Sequence, residues 1–157
     1  RRFVENYKKQ FAGMPYPPTF VTSDAVVFCQ GHVLMIGRKA EPGKGLMALP
    51  GGFLNAATDK SVLDAAIREL KEETKIKVPI PVLKGCVKSE KVFDAIGRSA
   101  RGRTITHAFN IVLPDLELPK VKGSDDALWA RWIPLADIKS EHCFDDHYDI
   151  IMHFVGG

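Results

Sequence analysis

A chain of 157 residues with 45% hydrophobic content is long enough for one domain with a real buried core. Its 22 Lys and Arg against 19 Asp and Glu leave a formal net charge of +3, too small an excess to argue for a nucleic-acid partner. No apolar run approaches the roughly 18 residues of a membrane span and no signal-peptide pattern opens the chain, so a cytoplasmic protein without a membrane partner is expected. Cys29, Cys86 and Cys143 are odd in number, widely spaced and without a CxxC pair, which argues against a disulfide framework or a zinc site.

Residues 1–12 carry Phe3, Tyr7 and Phe11 at i, i+4 and i+8, the pattern of a short amphipathic helix whose aromatic stripe needs a partner surface. Gly13-Met14-Pro15-Tyr16-Pro17-Pro18 breaks it with extended, stiff linker chemistry. The chain opens on Arg1-Arg2 without a methionine. Residues 1–18 therefore read as a tether from a preceding domain, and 19–157 as the domain itself.

Phe20 to Phe28 is β-rich, and Val33 to Ile36 follows Gln30-Gly31-His32, which predicts an antiparallel hairpin turning at Gly31. Arg38 and Lys39 leave the second strand for a loop at Glu41 to Gly45, which leads to Pro50-Gly51-Gly52-Phe53. A Gly-Gly pair lets a backbone approach a ligand or metal closely. Ser61 to Lys75 is the best-marked helix, with Ser61 as N-cap and Asp64 placed to complete a capping box. Val62, Leu63, Ala66, Ile67, Leu70 and Thr74 form its buried face, and Pro79 and Pro81 are expected to end the unit. Leu83 to Phe93 reads as one or two strands, Asp94 to Gly102 as a basic loop, and Thr104 to Leu113 as a strong strand. A polar loop from Leu116 to Asp126, a short strand from Ala130 to Leu135 and a C-terminal helix from Asp145 to Val155 complete the chain. Strands on both sides of a central helix, then a terminal helix, predict an α/β sandwich with a mixed sheet.

Within the central helix, Arg68-Glu69-Leu70-Lys71-Glu72-Glu73 sets Glu69, Glu72 and Glu73 at i, i+3 and i+4 on one face. Arg68 can pair with Glu72 one turn on, but one guanidinium cannot neutralise three carboxylates. An isolated run of this kind is ordinarily a solvated helix face. Beside a Gly-Gly loop it points instead to a divalent cation with oxygen ligands, Mg2+ or Mn2+.

These residues resemble the box of the Nudix hydrolases, G-x5-E-x7-R-E-U-x-E-E-x-G-U, where U is bulky and aliphatic. Gly52 matches its opening glycine, Arg68 to Glu73 its R-E-U-x-E-E core, and Ile76 its closing aliphatic position; Trp132-Ile133-Pro134 resembles a later W-x-P strand. The stretches YPPTFVTSDAVVF, RKAEPGKGLMALPGGF, GRSARGRTITHAF and FDDHYDII resemble the C-terminal domain of bifunctional nicotinamide-mononucleotide adenylyltransferase/Nudix proteins. Two positions depart from the box: Lys60 stands where its first glutamate belongs, and Lys75 where its last glycine belongs. Asp59 or Asp64 could supply the missing carboxylate. A left-handed cap at Lys75 would be strained, so the helix is expected to run on or end differently.

The resemblance implies a Nudix-type α/β/α sandwich with a central mixed sheet, binding Mg2+ (Mn2+ as an alternative) and hydrolysing ADP-ribose to AMP and ribose 5-phosphate. It implies Gly52, Glu69, Glu72 and Glu73 as metal ligands, with Glu72 or Glu73 as base and Arg68 orienting the glutamates. For the substrate it suggests Arg38, Phe53, Arg101, Arg103 and Asp126. His107 reads as a strand residue and Asp145 or Asp146 as a helix cap, while His147 stays ambiguous. An N-terminal adenylyltransferase domain would be the partner in the full-length chain, and a homodimer is compatible with the sequence. Two alternatives remain: a Nudix hydrolase of NADH or a nucleoside triphosphate, and a non-catalytic ADP-ribose sensor.

Overall fold

The computed structural model describes residues 13, 15–124 and 127–156; the helix expected over 1–12 and the acids Asp125 and Asp126 lie outside them. Seven strands form one mixed sheet: β1 (Thr19–Cys29), β2 (His32–Arg38), β3 (Met47–Ala48), β4 (Gly51–Phe53), β5 (Val87–Phe93), β6 (Arg103–Val112) and β7 (Ala127–Pro134). Among the described residues, three α-helices cover it: α1 (Val62–Thr74), α2 (Ile80–Gly85) and α3 (His147–Val155). The main strand order is β3-β2-β1-β6-β5, with β4 paired to β1 and β7 to β2.

The centre is β1. One edge runs parallel to β6 from Thr19↔Arg103 to Phe28↔Val112. Its other edge is shared: Thr22 to Asp24 pair with β4, and Phe28 and Cys29 pair with β2 through the expected hairpin. Gln30 and Gly31 turn that hairpin with φ of 49° and 70°, the double left-handed geometry that matches strand twist.

Period-two alternation sorts the strand residues into two cores. Ala25, Val27, Cys29, Leu34, Phe109 and Ile111 face α1 and α2, meeting Ala66, Ile67, Leu70 and Leu83. Val26, Val33, Met35, Leu49 and Ala108 face α3, meeting Ile150, Ile151 and Phe154. The three layers make the α/β/α sandwich that the sequence predicts. Fully burying a side chain such as Ile67 or Leu70 contributes about 2 kcal/mol, so the sheet-facing stripe of α1 fixes the helix in place.

Two local expectations are corrected. Pro79 and Pro81 do not end the unit; they start α2, with proline in the first turn, where a missing N–H costs nothing. Leu83 to Gly85 is accordingly helical, and β5 begins only at Val87. The C-terminus of α1 also departs: Lys75 does take the left-handed cap, at φ 50° and ψ 32°, its N–H donating to the Lys71 carbonyl.

The cap holds because its surroundings supply partners. Lys71 Nζ donates to the carbonyls of Ile76 and Val78, each at 2.9 Å. The loop before β7 donates Lys122 N–H to Thr74 O at 2.7 Å and Ser124 N–H to Glu73 O at 3.3 Å, satisfying carbonyls the helix itself leaves open. Trp132 pins the same loop through Nε1 to Pro119 O at 2.8 Å. A lysine held at positive φ keeps a strain that glycine would not. Lys75→Gly should therefore stabilise the fold by about 1 kcal/mol, raising Tm by about 3 °C with turnover unchanged; thermal unfolding by circular dichroism checks it.

Candidate active site

Helix α1 starts cleanly: Ser61 Oγ accepts the Asp64 N–H at 3.1 Å. The Asp64 carboxylate does not complete a capping box, because it takes the Ser61 hydroxyl at 3.0 Å and Lys84 Nζ at 2.6 Å. With Ala66, Ile67 and Leu70 packed on the sheet, Glu69 and Glu73 stand on the edge of α1 beside β4.

The Gly51-Gly52 pair is what lets β4 approach that edge. A Cβ on Gly52 would lie 2.7 Å from Glu69 Oε2, and one on Gly51 would lie 2.2 Å from Ser23 O and 2.4 Å from Asp24 Oδ1. At Gly51 the backbone of β1 leaves no room for a side chain, and at Gly52 a side chain would displace the Glu69 carboxylate. The approach also orients an acid: Gly51 N–H donates to Glu73 Oε1 at 2.9 Å, and Glu73 is only 6% exposed. Beneath it, buried Asp24 accepts the Thr106 hydroxyl at 2.6 Å, so the strand under the turn is also fixed.

Arg68 organises the carboxylates. Its Nη1 donates to Glu69 Oε1 at 2.5 Å and to Glu72 Oε1 at 3.1 Å. Its Nε and Nη2 form a bidentate pair with Asp59, each bond 2.8 Å. Of the two acids near Lys60, Asp59 is the one that meets Arg68, and Asp64 pairs with Lys84 instead. The Arg68 hydrogen bonds hold the Asp59 carboxyl down at about 2, so the pair is charged throughout the neutral range, and Asp59 in turn keeps Arg68 firmly protonated.

These elements wall a cavity of about 550 Å³, lined among others by Gly51, Gly52, Arg68, Glu69 and Glu73. Arg38, Phe53 and Arg101 also line it. There the guanidinium of Arg38 lies 3.9 Å from the ring centre of Phe144, and that of Arg101 lies 5.3 Å from Phe144 and 4.9 Å from Phe53. Arginines and rings alternate along one wall, each cation over an aromatic face. The structure therefore gathers Arg38, Gly52, Phe53, Arg68, Glu69, Glu73 and Arg101 from seven separate sequence positions.

It leaves others outside. Glu72 is not in the lining; its side chain is 47% exposed at the rim, on Arg68. Among the described residues, no three His, Cys, Asp or Glu side chains are gathered closely enough to hold a metal. Arg103 is exposed at the start of β6, paired with Thr19 away from the cavity. His107 is a residue of β6, as expected.

Sequence reasoning missed the support behind the wall. Asp146 occupies the N-cap of α3 but makes no capping hydrogen bond; its carboxylate takes Arg98 through two bonds of 3.0 and 2.7 Å, latching the 94–102 loop onto the domain. His147 is a buried structural group: its Nδ1 accepts the Leu49 N–H at 2.9 Å, tying the approach to the Gly-Gly turn to α3. Phe144, the ring shared by both arginines, carried no signal beyond hydrophobicity.

The chain belongs to the Nudix hydrolase family: the NUDIX domain family model matches residues 19–154. An ADP-ribose pyrophosphatase of Methanocaldococcus jannaschii is 32% identical over 135 residues, covering 86% of this chain and 72% of the relative. The ADPR responsive transcriptional repressor NtrR of Acinetobacter baylyi is 26% identical, covering 95% of this chain and 56% of the repressor. A crystal structure of a bifunctional NMN adenylyltransferase/ADP ribose pyrophosphatase from Francisella tularensis, complexed with AMP and a manganese ion, superposes with a TM-score of 0.93 at 42% identity. That match takes in 99% of this chain and 46% of the Francisella chain, so the chain spans a little under half of that relative.

Two outcomes test the geometry. Asp59→Asn should free Arg68 and lower kcat/KM about tenfold, as loss of support behind functional carboxylates does, without changing the fold by circular dichroism. Burial holds the His147 imidazole below its ordinary range. A depressed folded-state value means the neutral form is the stabilising one, so its contribution is complete above about pH 6.5 and is lost as pH falls below that. Tm measured between pH 5 and pH 8 should fall on the acid side, and His147→Gln should flatten the slope.

Proposed function

We propose that this chain is a divalent-metal-dependent pyrophosphatase of ADP-ribose, releasing AMP and ribose 5-phosphate. The carrying observation is one cavity whose lining includes both the carboxylates Glu69 and Glu73 and the side chains of Arg38, Phe53 and Arg101. Acids that suit a hard cation and guanidiniums that suit phosphate share its lining. The relatives whose names include ADP-ribose pyrophosphatase support that substrate, and the Francisella structure, with AMP and manganese in its complex, supports the product and the metal class.

The donor set fits such a cation: carboxylate oxygens beside a glycine whose missing side chain leaves the backbone within reach of Glu69. Glu69, Glu73 and the Gly52 carbonyl would hold it, and Glu72, paired with Arg68 at the rim, is a further candidate ligand. When bound, the cation neutralises charge on the pyrophosphate and lowers the pKa of a water. The chain's own groups do the rest. Gly51 N–H fixes the Glu73 carboxylate, and Arg68 and Asp59 hold Glu69 in register. Glu72, the carboxylate most open to water, and Glu73 are the candidates to accept the proton of the attacking water. Arg38 and Arg101 take phosphate oxygens, and Phe53 offers an apolar face to the nucleoside. Asp126 remains a candidate for the outer part of the substrate, whereas Arg103, outside the cavity lining, is not supported as one.

The likeness to the bifunctional relative supports an adenylyltransferase domain as partner in a full-length chain, with residues 1–18 as the tether. Among the described residues no helix is long and apolar enough to cross a membrane, and the three cysteines are free; both support a cytoplasmic setting. A second reading has its own support in the ADPR responsive repressor: a domain that binds ADP-ribose without cleaving it.

Incubation with Mg2+ and ADP-ribose, NADH or nucleoside triphosphates, with products followed by chromatography, separates these readings. ADP-ribose should be consumed fastest, EDTA should abolish turnover, and Glu73→Gln should reduce it by about a hundredfold or more. Binding without turnover would favour the sensor, and turnover indifferent to Glu73→Gln would sink the metal assignment.

A further inference from the structure

The two cavity arginines on the loop and helix sides are each backed by an acid, but the backing differs in kind. Arg68 is clasped by Asp59 in two 2.8 Å hydrogen bonds. Arg101 has its orientation set elsewhere: Nε donates to Ser99 Oγ at 3.2 Å, and the guanidinium is held between Phe53 and Phe144. The Asp145 carboxylate lies behind it, Oδ2 being 3.6 Å from Nη2. That is too long for a hydrogen bond and well within Coulomb range. The same Oδ2 is buried and accepts no hydrogen bond among the described residues. Asp145 also sits at φ 46°, a left-handed conformation uncommon for a side-chain-bearing residue. A carboxylate buried there without a hydrogen bond to that oxygen is costly unless its charge is useful.

We propose that Asp145 is a specificity-determining residue, which cancels the charge of Arg101 so that the cavity prefers a pyrophosphate bridged between two sugars over a nucleoside triphosphate. The inference rests on the ADP-ribose reading and deepens it. A bridged pyrophosphate has no terminal phosphoryl group and carries one negative charge on each phosphorus, whereas a triphosphate adds a phosphoryl and a second ionisation near neutrality. With Arg68 offset by Asp59 and Arg101 by Asp145, the other charged lining residues among the described ones are Arg38 and Lys39 against Glu69 and Glu73. Such a wall offers fork-shaped donors to phosphate oxygens while giving little extra attraction for surplus negative charge. Discrimination by withholding charge is the repulsive side of specificity.

The test is an affinity series by calorimetry at low salt, without divalent metal, using AMP, ADP, ATP and ADP-ribose on the wild type and Asp145→Asn. Asparagine keeps the shape and tolerates the left-handed backbone, and a melting curve verifies the fold. Affinity for ATP should rise about tenfold relative to ADP-ribose and AMP in Asp145→Asn, and the gain should shrink at high salt. Arg101→Gln should shift the ratio the other way, ATP losing more than AMP, which keeps the proposal decidable should Asp145→Asn fail to fold. An ATP-to-AMP affinity ratio unmoved by either variant overturns it. If the wild type fails to hydrolyse ADP-ribose, the functional reading falls, and the nucleotide series still decides the role of Asp145.

Discussion

The close approach of β4 to α1 is the constraint on which the site depends. Gly51 and Gly52 sit where any side chain would strike Asp24, Ser23 or Glu69, and that absence of atoms brings a backbone turn against two helix carboxylates. The gain is specific: the Gly51 amide orients Glu73, and Glu69 stands against the Gly52 backbone. Everything else in the domain serves to hold that approach. The apolar stripe of α1 seats the helix on β1 and β6, β1 lends Thr22 to Asp24 of one edge to β4, and buried Asp24 is tied to Thr106 below the turn.

Charge is managed by pairing in layers behind the cavity. Asp59 and Glu69 absorb Arg68 from two sides, Asp146 absorbs Arg98, and Asp145 faces Arg101. The pairs differ in exposure, and so in strength. Arg98 is 3% exposed against an Asp146 at 22%, so its bidentate contact is shielded from solvent on the cation's side, whereas Glu72 on Arg68 is nearly half exposed and contributes a few tenths of a kcal/mol at most. This places the firm pairs in the loop latch and the Asp59 clasp, and the loose one at the rim.

Much of this was legible in the residues. The 3.6-residue stripe of α1, its Ser61 cap and the β1–β2 hairpin are local patterns with local causes, and they appear where the sequence puts them. The acids of α1 and the Gly-Gly pair could be read for the same reason. What could not be read depends on distant parts of the chain. Asp145 and Asp146 look like helix-capping residues until the 94–102 loop folds back and brings Arg98 and Arg101 to them. Lys75 looks too costly for a left-handed cap until Lys122 and Ser124 arrive to satisfy the helix end. Lys60 looks like a damaged motif, because nothing in a one-dimensional count shows that Asp59, one residue earlier, points its carboxylate at Arg68.

The irregular segment between β6 and β7 is where a chain would ordinarily tolerate changes of length. Its last part is an exception. Lys122 and Ser124 give their amides to the final carbonyls of the helix that carries Glu69 and Glu73, and Trp132 fastens the segment from the β7 side. An insertion near Leu116, which is exposed, could be absorbed as slack, whereas one beside Lys122 would pull on the end of the acidic helix itself. Within this connection changes of length are thereby steered to its first half, and the second half is bound to vary in step with the helix that it closes.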